Sequence, residues 1–70
     1  MYIVIEIQTN ADGTVGTIVT QWPDRNQAES KFHNILAYAA GSELPVHSAV
    51  LLTNDGLLLR NESYTHEVTE

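Results

Sequence analysis

Three histidines, nine carboxylates, four serines and three basic residues are the chemistry-bearing side chains of this 70-residue chain, which has no cysteine. His33, His47 and His66 raise the question of a metal site, but their spacing matches no ligand motif and the pattern below puts them on helix, strand and tail. Glu29 and His33 are i,i+4 neighbours on a helix and can share a charge-assisted contact. Paired carboxylates do acid–base work only when they face each other across a cleft, and Glu6 and Glu62 read as solvent-side strand residues. Ser30, Ser42, Ser48 and Ser63 sit in no nucleophile elbow. Gly13 and Gly16 lie three apart but form no phosphate-binding loop. No catalytic residues, metal or cofactor are expected, and the chain reads as a non-enzyme.

The strongest binding segment is Trp22-Pro23-Asp24-Arg25-Asn26. An aromatic and an arginine stand there beside a helix start, where free N–H groups favour an anion. Arg60 follows an apolar triplet, and Tyr64 shares its strand face. With His47, the residues Trp22, Arg25, Arg60 and Tyr64 form the candidate ligand set, able to make a small polar pocket if gathered across a subunit interface. The competing reading is that Trp22 plugs the core and both arginines pair with nearby carboxylates.

Two Asp-Gly turns organise the elements that carry these residues. Asp12-Gly13 separates a β-branched run over 2–8 from a second over 14–22, and Asp55-Gly56 separates 46–53 from 57 to about 64. Gly takes positive φ freely, which such hairpin loops need. In the first run Ile3, Ile5 and Ile7 share one face, expected to be fully buried; Tyr2, Val4, Glu6 and Gln8 share the other, expected to be half-buried. Gly16 is a candidate bulge. Between the hairpins, Ala28, Phe32, Ile35, Leu36, Ala39 and Ala40 repeat at three and four residues, an amphipathic helix. Asp24 with Gln27, or Asn26 with Glu29, can cap it. Gly41 is a natural stop and Pro45 bars continuation. Both turns carry a nearby Thr-Asn, an echo that shared turn chemistry explains better than duplication. The tail from Thr65 is expected to fray.

The fold class is therefore α+β: one domain over 1–70, a four-stranded, mainly antiparallel sheet with one helix on one face, in ββαββ order. Strand order is left open. A helix about 10 Å across can cover a good part of one face of a sheet roughly 19 Å wide and none of the other. Apolar residues on both faces then call for a homodimer or higher homo-oligomer, most simply a symmetric dimer that buries the sheet face or pairs two edge strands. The small size is consistent with this, since without disulfides the remaining supports for so small a core are unusually good packing or oligomerisation.

The formal charge of −6 excludes a basic surface for nucleic acid and disfavours anionic membranes. No signal peptide or ~20-residue apolar span is visible. Glu6-Ile7-Gln8-Thr9-Asn10-Ala11-Asp12-Gly13-Thr14, Asn26-Gln27-Ala28-Glu29-Ser30-Lys31-Phe32-His33 and Pro45-Val46-His47-Ser48-Ala49-Val50 resemble small proteins encoded in phages and prophages of Firmicutes, with the similarity running on to Tyr64-Thr65-His66-Glu67. The resemblance carries no residue roles. It implies a phage accessory protein in the cytoplasm of a bacterial host. The leading expectation is an anti-defence protein that sequesters a small nucleotide-like host signal between subunits. The alternatives are an acidic inhibitor of a host protein, acting as a nucleic-acid mimic, and a phage structural or assembly component.

Overall fold

A computed structural model describes residues 1–66 of the chain. Strands β1 (Tyr2–Thr9), β2 (Val15–Trp22), β3 (Val46–Thr53) and β4 (Leu58–Thr65) surround helix α1 (Arg25–Gly41) in chain order ββαββ. The sheet order is β2-β1-β3-β4, with every neighbouring pair antiparallel. The α+β architecture is thus the expected one, and β1 and β3 form its centre.

The two hairpins close in the same way. In the first, the Asn10 N–H donates to the Thr14 carbonyl at 2.8 Å and the Gly13 N–H to the Asn10 carbonyl at 3.0 Å. In the second, the Thr53 N–H donates to the Leu57 carbonyl at 2.9 Å and the Gly56 N–H to the Thr53 carbonyl at 3.0 Å. These are three-residue loops, and Gly13 and Gly56 take φ of +88° and +92°. In this alignment Asn10 corresponds to Thr53, so the Thr-Asn echo is out of step while Asp-Gly is in step. Turn chemistry, not repetition, accounts for it.

Asp24 caps α1: its carboxylate accepts the Asn26 N–H at 3.3 Å from an extended backbone. That settles the choice between the two caps. Ala28, Phe32, Ile35, Leu36 and Ala39 are buried against the sheet, whereas Ala40 is exposed. Gly41 is the last helical residue and does not take positive φ; the stop comes from Ser42, whose extended backbone donates its N–H to the Ala39 carbonyl at 3.3 Å.

Register assigns the faces. Val4, Leu51 and Thr20 lie in one row, as do Glu6, Ala49 and Ile18, and these rows look toward α1. Val4, Ala49 and Leu51 are fully buried there. Ile3, Ile5 and Ile7 occupy the opposite face, only half-buried. The isoleucine face is therefore not the fully buried one; Tyr2, Glu6 and Gln8 are half-buried as expected, and Val4 alone on their face is fully buried. The reason is size: Ala28, Ala39 and Ala49 let the helix approach the valine side closely, and no element of the described chain lies over the isoleucines. Gly16 pairs with Gln8 in unbroken register, so it is no bulge; the irregularity falls in β4, at Leu59. Thr65 pairs with Val46, and the His66 N–H donates to the Pro45 carbonyl at 2.9 Å, so fraying does not begin at Thr65. The rest of the expected tail lies outside the described residues.

Candidate functional site

The sheet order separates the candidate ligand residues into three places. Trp22 ends edge strand β2, half-buried against the core, with its indole N–H donating to the Thr20 hydroxyl at 2.9 Å. Arg25 and Arg60 meet at Glu29 on the β4 side. The Arg60 Nε–H donates to both Glu29 oxygens, at 2.7 and 3.0 Å, while Arg25 stands 4.0 Å away. Both arginines therefore pair with a carboxylate, and Glu29 contacts Arg60 and Arg25. His47 is buried in β3 with Tyr64 beside it in register on β4. Two strands, β1 and β3, separate Trp22 from the Arg60–Tyr64 strand, so the five residues form no single pocket within one chain.

A hydrogen-bonded chain that the residue types alone did not reveal runs under α1. His47 Nε2 lies 2.6 Å from Glu6 Oε2, and Nδ1 lies 3.2 Å from the Ser42 hydroxyl. The Gln8 amide donates to the same Glu6 oxygen at 2.8 Å. The tautomer with Nε2–H donating to Glu6 and Nδ1 accepting from Ser42 satisfies both contacts. Glu6 is thus not a solvent-side residue: alternation along β1 puts it on the helix side with Val4. Burial raises its pKa, but the Gln8 hydrogen bond, the His47 contact and the charge of Lys31 more than offset this and leave it below the ordinary glutamate value. Serine, histidine and glutamate in line invite comparison with a catalytic triad. Ser42, however, lies at the C-terminus of α1, where carbonyls and the negative dipole end oppose a developing oxyanion. Ser42 lines neither groove described below. The chain is a satisfied, buried histidine that ties β1, β3 and the helix end together.

His33 is exposed and packs edge-on against Phe32, ring centroids 5.6 Å apart. The His66 ring meets the Ala39 carbonyl at 2.8 Å. Among the described residues no group of three His, Asp or Glu is placed to hold a metal, and no helix is long and apolar enough to cross a membrane.

Two concave surfaces among the described residues stand out. A groove of about 350 Å³ runs between α1 and the β2 edge, lined by Trp22, Asn26, Gln27, Ser30, Lys31 and Asn34. Helical spacing makes it: Asn26, Ser30 and Asn34 form one i,i+4 stripe, and Gln27 and Lys31 a second. An indole wall, amide and hydroxyl groups and the chain's sole lysine suit a planar polar ligand bearing negative charge. Except for Trp22, these residues were not in the candidate set; the i,i+4 polar stripe was the signal. The second, about 290 Å³, is a shallow dip in the open sheet face lined by Ile7, Ser48, Val50, Asn61 and Ser63 with Ala49 and Glu62.

That open face has a composition of its own. Its rows run Gln21, Ile3, Leu52, Leu58; then Val19, Ile5, Val50, Asn61; then Thr17, Ile7, Ser48, Ser63; then Val15, Thr9, Val46, Thr65. None of these residues is charged. The charged strand residues, Glu6, Arg60 and Glu62, and His47 all stand on the helix side. No known protein family, curated protein or solved structure matches the chain.

Proposed function

We propose that the protein is a non-enzymatic binding module that works as a homo-oligomer, with copies packed through their open sheet faces and a small nucleotide-like molecule held beside α1. The observation that carries this reading is the charge-free, partly apolar face that no described element covers, in a chain of net charge −6. Charged residues are depleted from interface cores because their desolvation is costly. A face that excludes every charge while the opposite face holds them has the composition of a contact surface. The row Ile3, Ile5, Ile7 forms its centre, and Val50 and Leu52 flank it on β3.

For the ligand, Trp22 offers a stacking surface, Asn26 and Asn34 offer amides for a base edge, and Lys31 offers a charge for a phosphate. The resemblance to phage and prophage proteins supplies the setting: a bacterial cell in which such a molecule is a host signal to be sequestered. The nucleic-acid mimic draws less support. It needs carboxylates in rows, but Asp12 and Asp55 sit at hairpins on opposite ends of the sheet, and Glu6 and Glu29 are taken up by His47 and Arg60.

Native mass spectrometry of the full chain tests both parts at once, because it reads copy number and retained mass in one spectrum. The expected result is an assembly of two or more chains, gaining the mass of bound nucleotide when purified from cells or mixed with nucleoside phosphates. A monomer that retains nothing from either source would refute the reading.

A further inference from the structure

The two edges of this sheet are not alike. Edge strands present free N–H and C=O groups and are normally blunted by charge, proline, bulges or cover. β4 carries such devices: a register break at Leu59 and the charged Arg60 and Glu62. β2, Val-Gly-Thr-Ile-Val-Thr-Gln-Trp, carries none: no charge, no proline and unbroken register with β1. Its Val15, Ile18 and Val19 side chains are 60%, 52% and 56% exposed. α1 sits over the centre of the sheet and leaves the helix-side surface of β2 open beside the Trp22–Lys31 groove.

The free backbone groups of β2 can be assigned. In an antiparallel ladder, alternate residues bond to a given neighbour. The Asn10–Thr14 bond at 2.8 Å and the Asn54-to-Met1 bond at 3.2 Å fix the phase on either side of β1. Counting by twos, Gly16, Ile18, Thr20 and Trp22 bond to β1. Val15, Thr17, Val19 and Gln21 then direct their N–H and C=O groups away from the sheet. An antiparallel copy of the strand that uses all four pairs Val15 with Gln21 and Thr17 with Val19, and sets Ile18 opposite its own copy. No like charges oppose each other in this register, because the strand has none.

We propose that β2 pairs with β2 of a second copy, antiparallel about a two-fold axis at Ile18, so that two Trp22–Lys31 grooves merge into one trough. Its floor is Gly16, Ile18 and Thr20 from both copies, and its walls are the two α1 stripes. The trough brings two Lys31 ammonium groups to one ligand site, which answers the scarcity of basic residues in an acidic chain. Pairing also makes one eight-stranded sheet and leaves its open face free for the packing proposed above. The strand pairing stands on the edge itself; the ligand trough rests on the binding reading.

The absence of cysteine gives a clean test. Across the two-fold, Ile18 occupies a non-hydrogen-bonded pair, where Cα atoms lie about 4.5 Å apart, within disulfide range. Ile18→Cys should cross-link under mild oxidant at least tenfold faster than Val15→Cys, whose counterpart is Gln21 rather than itself. Equal rates, or faster linkage by Val15→Cys, would overturn the pairing. The same cross-linked dimer, titrated with AMP while Trp22 fluorescence is followed, should bind at least fivefold more tightly than the reduced protein diluted to single chains. Equal affinity in the two forms overturns the shared trough. Fast Ile18→Cys linkage with no AMP response in either form upholds the strand pairing and removes the nucleotide reading alone.

Discussion

At the scale of single residues, Glu6 and His47 show how a polar pair is tolerated in a core this small. Each has the other, Gln8 also donates to Glu6 and Ser42 meets the second ring nitrogen of His47, and among the described residues no buried side-chain polar atom is left unpaired. Hydrogen bonds to a charged group contribute about 1.5–3 kcal/mol, so Glu6→Ala should lower unfolding free energy by about 2 kcal/mol at neutral pH. The pH dependence has a definite sign. The folded pKa of Glu6 is lowered from 4.5, so its contribution is fully present above about that pH and is lost as pH falls through the folded value. Urea unfolding of wild type and Glu6→Ala between pH 7 and pH 3 should show the gap closing with acid; a gap that stays constant or widens would contradict the assignment. In the sequence, Glu6 was visible only as a polar residue in alternation with isoleucines. Its partner lies 41 positions away on a strand whose register no local pattern specifies.

At the scale of elements, the hairpins and helix were legible because their signals are local. Asp-Gly turns need positive φ, an Asx side chain can cap a helix, and apolar spacing of three and four defines a buried stripe. What was not legible was any choice between equivalent options: which face α1 covers, which edge carries a bulge, and whether Gly41 ends the helix by its own conformation. The glycines make that distinction measurable. Gly13 and Gly56 hold positive φ, and Ala at either should destabilise by about 1 kcal/mol or more. Gly41 is helical with open space around its Cα, so Gly41→Ala should raise stability by about 0.5–1 kcal/mol. Thermal unfolding of the three variants checks the contrast, and a destabilised Gly41→Ala would show that this helix end has the left-handed termination expected from sequence alone.

At the scale of the whole molecule, the distribution of charge is the clearest feature. Charged strand residues and the histidine of β3 share the helix side, while the other face is a continuous surface of Ile, Val, Leu, Thr, Ser, Asn and Gln. The sequence revealed that apolar residues would lie on both faces and that a lone helix could cover only one. The candidate site was less legible, because Trp22 and Arg60 are on opposite edges and only the strand order shows it. Sedimentation equilibrium of the full chain at micromolar concentration, beside Ile5→Glu with its circular dichroism checked, tests the central claim most directly. The wild type should sediment with the mass of two or more chains, and Ile5→Glu, which places a carboxylate at the centre of the open face, should fall toward fewer chains while keeping its secondary structure. A wild-type protein that stays a single folded chain across this range would contradict the account.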